Sequence, residues 1–232
     1  MEVIWQGMVE AGRLLATLDA DVIHITLRTL QVSVTATLIS ILIGIPAGTA
    51  LALTNFWGRN FVVSVVNFGM GLPPVVVGLI TWLLLARYGP LGALSLLYTP
   101  TAIVIAQAII ASPIVAGFSL AALQSVNPKL RLQILSLGAN RFQYFLLLLW
   151  EARLGILAAI IAGFGGVISE VGASMMVGGN IRGYTRVLTT ATVLEVSKGK
   201  FELATALSVI LLVLSFFVTA SLSYLQQRGR RA

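Results

Sequence analysis

Lipid offers a polypeptide no hydrogen-bond partners, so a backbone that crosses it must close its own N–H and C=O groups into helices or a closed barrel. Five apolar runs in this chain face that demand, at 25–53, 61–85, 101–123, 145–177 and 203–225. Each exceeds the ~20 helical residues that cross a hydrocarbon core about 30 Å thick. The surplus length permits tilt or extension past the bilayer. Glu151 and Arg153, near the start of the fourth run, put its first turns outside the apolar zone. Of 232 residues, 58% are hydrophobic and only 10% charged, against about 25% charged in an ordinary soluble domain. The expected fold is therefore an all-α polytopic membrane protein with five transmembrane helices, an N-terminal interfacial helix and one short polar helix between spans.

Several chemistries are excluded. The chain has no cysteine and one histidine, His24. Disulfides, thiolate metal sites and cysteine nucleophiles are ruled out, and a lone histidine near a helix end makes no metal cluster. No metal or cofactor is expected in the chain. The net charge of +7 is spread over short loops with no basic face interleaved with aromatics, so nucleic acid is not an expected partner. The N-terminus lacks a basic region followed by an apolar core and a small-residue cleavage site, so no removable leader is expected. Residues 1–22 instead alternate Ile4, Trp5, Met8, Leu14, Leu15 and Leu18 with Glu2, Glu10 and Arg13, the pattern of an amphipathic helix lying at a membrane surface. A transmembrane domain at 23–226 and a basic tail at 227–232 complete the organisation.

One polar stretch, 127–143, interrupts the apolar chain halfway along. Asn127 is a good N-cap, and Pro128 suits the first helical position, where its missing N–H is not needed. Lys129 and Arg131 are expected to hold charge in water, with Leu130, Leu132, Ile134, Leu135 and Leu137 forming an apolar side. Gly138 supplies a left-handed stop, and Asn140 caps the helix that follows. On physical grounds alone, a surface helix joining two spans accounts for the stretch as well as a docking element does. Basic residues fall on both sides of the membrane, whereas Glu2, Glu10, Asp19, Asp21, Glu195 and Glu202 all lie opposite the insert. Acids weigh little in the positive-inside rule, so this orients the chain only weakly.

Elsewhere the spans are irregular. Gly44, Gly48 and Ala52 line a small-residue stripe on the first, and Gly155, Ala159 and Gly163 one on the fourth. Such stripes let backbones approach closely, within the chain or across a dimer. Pro73 and Pro74 interrupt the second run and Pro113 the third, breaks that membranes tolerate where protein or a watery cavity satisfies the freed groups. Glu170 ends the fourth. An intramembrane carboxylate is expensive, and this one fits a pathway residue, a proton carrier or a structural acceptor for backbone N–H groups. With no second carboxylate to form a relay, structural or gating use is favoured. The segment 175–186 is glycine-rich and cationic, which suits either an anion-receptive concavity or a plain solvated loop.

The run Leu137-Gly138-Ala139-Asn140-Arg141-Phe142-Gln143, after a polar helix between two spans, resembles the coupling-helix signature of type I ABC importer permeases. The run Ile168-Ser169-Glu170-Val171-Gly172-Ala173, followed by Met175-Met176-Val177-Gly178-Gly179-Asn180-Ile181, is similar to the oxyanion branch, nearest to tungstate permeases and next to molybdate permeases. Two departures stand out: Leu132-Gln133-Ile134 replaces the usual Glu-Ala-Ala, and Glu151 replaces a closing proline. The resemblance implies a homodimer in the plasma (inner) membrane that clasps two cytoplasmic ATP-binding subunits, which bind ATP and Mg. It also implies an extracytoplasmic oxyanion-binding protein as partner. The N-terminus would face outward and the C-terminus the cytoplasm. No G-x-x-x-x-G-K-[ST] loop is present, so the chain itself is not expected to hydrolyse ATP.

Under the resemblance, ATPase coupling falls to Asn127, Pro128, Lys129, Arg131, Leu135, Leu137, Gly138, Ala139, Asn140, Arg141 and Phe142. Pathway or gate roles fall to Pro73, Pro74, Pro113, Ser169, Glu170, Gly172, Ser174, Met175, Met176, Gly178, Gly179, Asn180 and Arg182. Glu170 is not expected to touch an oxyanion, because like charges repel strongly in a low dielectric. Ser169, Ser174, Asn180, Arg182 and exposed amides are the better contacts. The rival of another class is an ion-coupled secondary transporter or channel that uses Glu170. An intramembrane enzyme lacks a nucleophile–base arrangement, and a pure assembly subunit would transport nothing.

Overall fold

A computed structural model describes residues 2–17 and 19–228 as helices and short connections. Residues 229–232, with Arg230 and Arg231 of the basic tail, lie outside the described residues, as do Met1 and Leu18. The helices are α1 (Glu2–Ala16), α2 (Ala20–Leu53), α3 (Arg59–Met70), α4 (Pro74–Leu85), α5 (Pro100–Gln124), α6 (Pro128–Ser136), α7 (Arg141–Glu151), α8 (Arg153–Ile168), α9 (Gly172–Gly178), α10 (Leu188–Ser197) and α11 (Phe201–Arg228). A 3-10 turn, Gly92–Leu94, lies between α4 and α5. Asp19 starts α2, its carboxylate accepting from Val22 N at 3.0 Å.

Three helices, α2, α5 and α11, are each long and apolar enough to cross a membrane. Two further passes are bent pairs: α3 and α4 meet at 101°, α7 and α8 at 69°. Packing fixes their directions. Ser40 Oγ reaches Ala108 O, Gly44 faces Ser112 and Val115, and Gly48 faces Ala116 and Leu120. Both residue numbers rise together, so α2 and α5 run parallel and the α3–α4 pair must cross back between them. Gly155 faces Ala122 while Gly163 faces Val115, so α8 runs antiparallel to α5. The side chain of Gln226 on α11 donates to Leu154 O at the start of α8, and α11 returns to the α6 end.

Two expected runs are subdivided. The second breaks at Gly71-Leu72-Pro73, where Pro73 takes the extended cap position and Pro74 opens α4. The fourth, expected to reach 177, ends at Ile168, and its last part becomes the separate helix α9. Its start is also offset, since α7 bends away at Ala152 just after Glu151. Both small-residue stripes serve packing within the chain. A Cβ at Gly48 would run into the Ala116 carbonyl, with Leu120 N and Ser119 Cβ only 3.0 Å away. Gly48→Ala should therefore cost about 1–3 kcal/mol through forced separation of α2 and α5. Thermal unfolding in detergent should show a lowered midpoint. Gly12→Ala on α1, where a Cβ meets nothing within 4 Å, should melt with the wild type. Equal midpoints for both variants would contradict this close approach.

Several buried hydroxyls in the spans satisfy themselves locally, whereas those of Thr81 and Ser119 find no partner among the described residues. Thr29, Thr37 and Thr49 donate to carbonyls four residues back, each at 2.7 Å. This removes the cost of an unpaired donor in an apolar medium. The core is divided among clusters. One gathers Val32, Val77, Ile103, Ala106, Ala173 and Val177 around α4, α5 and α9. Another joins Leu123, Val126, Ile134, Leu148 and Ala152 at the α6 end. The N-terminal helix α1 lies against α11, where Ala11 shares a third cluster with Ala206, Leu207 and Ile210.

Candidate functional site: a lever helix and a broken span

The α6 segment is built by its caps. Asn127 Oδ1 accepts from Lys129 N at 2.9 Å, and Pro128 occupies the first turn. At the far end Gly138 takes φ +77°, with Gly138 N donating to Leu135 O at 3.0 Å and Ala139 N to Ile134 O at 3.4 Å. That pair of bonds around a left-handed glycine is the Schellman stop. Asn140 then starts α7 with a reciprocal capping box to Gln143, both bonds 2.9 Å. The two helices and the tight turn between them thus form a rigid corner.

The apolar residues of α6 do not share one side. Ile134 is buried and Leu130 half-buried, whereas Leu132, Leu135 and Leu137 point outward, Leu137 at 86% exposure. Arg131 departs from its expected place in water. It is half-buried, and its guanidinium donates to the Leu123 carbonyl at the end of α5. Lys129, Arg141 and Phe142 are exposed. Beside the corner, Leu137, Gly138, Ala139, Gln143, Leu146 and Leu147 line an open groove of about 560 Å3. The surface is a firm apolar knob with cationic flanks, tied to α5.

The second candidate region is the break after α8. Glu170 is 6% exposed. One carboxylate oxygen accepts from Ala173 N and the other from Ser174 N and Ser174 Oγ, all at 2.9 Å. Its own carbonyl accepts from Thr189 Oγ1 on α10 at 3.0 Å. Glu170 therefore holds the first turn of the seven-residue α9 and joins it to α10. Ser174 is 1% exposed and also accepts from Gln107 Nε2 of α5 at 3.1 Å. Ser169 is exposed and donates to Gly165 O at 2.8 Å.

Around α9 the glycines among the expected pathway residues sit at close approaches. Gly172 approaches Val75, Gly178 approaches Ile103, and Gly179, at φ +68°, lies under the Tyr98 ring. Met175 and Met176 are half-buried, with the Met176 sulfur close to Gly78 of α4. Pro73 and Pro74 are exposed, and Pro113 packs where α3 ends, against Gly69.

The two arginines of 175–186 line one hollow together with Asp19 and Asp21, and each has a protein partner. Arg182 pairs with Asp21 at the start of α2, a hydrogen bond and charge that hold its guanidinium above the ordinary arginine range. Arg186 donates to Asn180 Oδ1 at 3.2 Å, and Thr190 Oγ1 donates to the same oxygen at 2.9 Å. The N–H groups of Ile181, Tyr184, Thr185 and Arg186 are all engaged inside the loop.

Three residues with structural roles, Gln107, Thr189 and Thr29, are not evident as such in the sequence. Gln107 carried a signal: it is the only amide in the apolar run 101–123. Thr29 Oγ1 accepts from Leu188 N at 2.9 Å and ties α2 to α10; nothing marks it among the neighbouring hydroxyls.

Residues 10–231 match the family described as binding-protein-dependent transport system inner membrane component. The chain belongs to this family. It is the membrane-embedded part of such a transporter, and ATP-binding and substrate-binding subunits are separate components of the system. A probable anion ABC transporter permease protein of Haloferax volcanii is 43% identical over 203 residues, 85% of this chain and 88% of that protein. The tungstate uptake system permease protein TupB of Peptoclostridium acidaminophilum is 37% identical over 227 residues, 98% and 100% of the two chains. In fold, the chain matches an inward-facing structure of the MetNI methionine ABC transporter with a TM-score of 0.75. That match covers 92% of this chain and 98% of the other at 19% identity.

Proposed function

We propose that the chain is the permease of an ATP-driven importer for a tetrahedral oxyanion, tungstate ahead of molybdate, working as a homodimer with two ATP-binding subunits. The carrying observation is full-length similarity to a tungstate uptake permease at 37% identity. Similarity at 29% to a molybdenum permease covers 70% of this chain, which supports the order of preference. The α6 corner faces the cytoplasm and seats in a cleft of the ATP-binding subunit, with Leu135, Leu137 and Phe142 as apolar anchors and Lys129 and Arg141 at the rim. ATP-driven closure of the partners moves this corner, and the spans alternate between inward- and outward-open states.

In this orientation α1, the Asp21–Arg182 pair and α10 lie outside, where the binding protein delivers its cargo. Pro73, Pro74, Pro113 and the α8–α9 break lie along the pathway as its hinges and gate. Ser169 and Arg182, both exposed, are the contacts most accessible to a passing oxyanion. Both oxygens of Glu170 already accept from protein donors, which supports a structural role over an ion-coupling one. The test is uptake into vesicles holding the permease with its ATP-binding and substrate-binding partners. Tungstate should enter only with ATP, and molybdate should compete more weakly. Uptake driven by an ion gradient without ATP would instead establish the secondary-transporter reading.

A further inference from the structure

Gln107 sits on α5 with 3% exposure, within a cluster of apolar residues. Its Nε2 donates to Ser174 Oγ at 3.1 Å, and that hydroxyl donates to Glu170 Oε2 at 2.9 Å. Its amide oxygen is buried and accepts from no donor among the described residues. We propose that Gln107 is a positioning residue that couples the α6 lever to the broken span, holding Ser174 and Glu170 in place until α5 moves. This rests on the transport reading above and names the residue through which that motion arrives.

Motion enters at α6. Its Arg131 guanidinium grips the Leu123 carbonyl, and its Ile134 shares a core with Leu123 and Val126. Displacement of α6 therefore pulls on the end of α5. Gln107 lies 16 residues before Leu123, about 24 Å along the helix at 1.5 Å per residue. Pro113 lies between them inside α5. Its missing N–H removes one rung of the ladder, so the helix bends there more readily than elsewhere. At Gln107 the link passes to α9 as one directional hydrogen bond.

On the receiving side, α9 has only seven residues, too few for a helix to hold itself. Its placement depends on Glu170, on Ser174 and on the glycine contacts to α4 and α5. The amide of Gln107 is held by one bond, so it can re-pair when α5 shifts. Two packed arrangements joined by a discrete bond make a switch of the kind that transmits coupling between distant sites.

The test variant is Gln107→Met, which keeps the volume and removes the polar group. Ser174 Oγ still donates to Glu170 and no buried donor is orphaned, so the variant should fold. The assembled complex, with hydrolysis-deficient ATP-binding subunits, is followed by hydrogen exchange at the Ala173 and Ser174 amides with and without ATP. In the wild type ATP should change exchange at these amides about fivefold or more, the low end of typical coupling between sites. In Gln107→Met that response should vanish while the melting midpoint stays equal or rises. An ATP response that survives in the variant would overturn the proposal. So would a wild type that shows none, or a variant whose midpoint falls together with general loosening of α5 and α9, since Gln107 would then be only a packing residue. A chain that binds no nucleotide-hydrolysing subunit would instead overturn the transport reading itself.

Discussion

Glu170→Gln should lower ATP-driven uptake by about tenfold to a hundredfold, the range set by losing a hydrogen bond to a charged acceptor at about 1.5–3 kcal/mol. The carboxylate presents an acceptor to Ala173 N on one side and to Ser174 N and Oγ on the other. An amide has one acceptor oxygen, so its NH2 must face a buried donor whichever way it turns. The first turn of α9 then loses an anchor, and Thr189 keeps its bond only to the Glu170 backbone carbonyl, which the substitution leaves in place. The permease should still co-purify with its partners, because the damage is confined to a seven-residue helix. Initial uptake rates in vesicles measure the effect. Wild-type rates would show that the hydrogen-bonded carboxylate is dispensable, and a selective loss of oxyanion binding would mean it touches cargo after all.

Gly138→Val should leave the protein in the membrane but abolish substrate-stimulated ATP hydrolysis by the partner subunits. At φ +77° the residue is left-handed, and an added Cβ meets nothing within 4 Å. The penalty is therefore torsional. A left-handed conformation costs an ordinary L-residue roughly 1–2 kcal/mol, and a β-branched one more. The chain relieves that strain by unwinding the Schellman stop, and the α6–α7 corner loses its angle. Gly138→Asn, which tolerates this conformation, should keep most of the stimulation, with Gly138→Ala in between. The ordering separates backbone geometry from contact. If Val and Asn variants stimulate alike, the corner is not what the partner reads.

Local chemistry carried far in this chain. Asn127, Gly138 and Asn140 cap and stop their helices as their residue types require, because each acts on backbone groups within four positions. The apolar runs marked the three helices long enough to span and the two bent pairs for the same reason: every peptide group in lipid needs a partner nearby in sequence. A carboxylate at Glu170 is costly inside an apolar run, and it meets that cost by accepting backbone N–H groups three and four residues on.

What the sequence could not assign was direction. Arg131 looked like a surface cation beside Lys129, yet it turns inward because the Leu123 carbonyl at the end of α5 lies within its reach. Arg182 of the cationic glycine-rich loop meets Asp21 across 161 positions of sequence, while Arg186 meets Asn180 within its own loop. Gln107 finds Ser174 across 67 positions of sequence. Caps, stops and spans follow from interactions between near neighbours along the chain, and the residues themselves determined those. Which buried polar group meets which depends on helices brought together by glycine-to-backbone contact, and only the packed tertiary structure decided that.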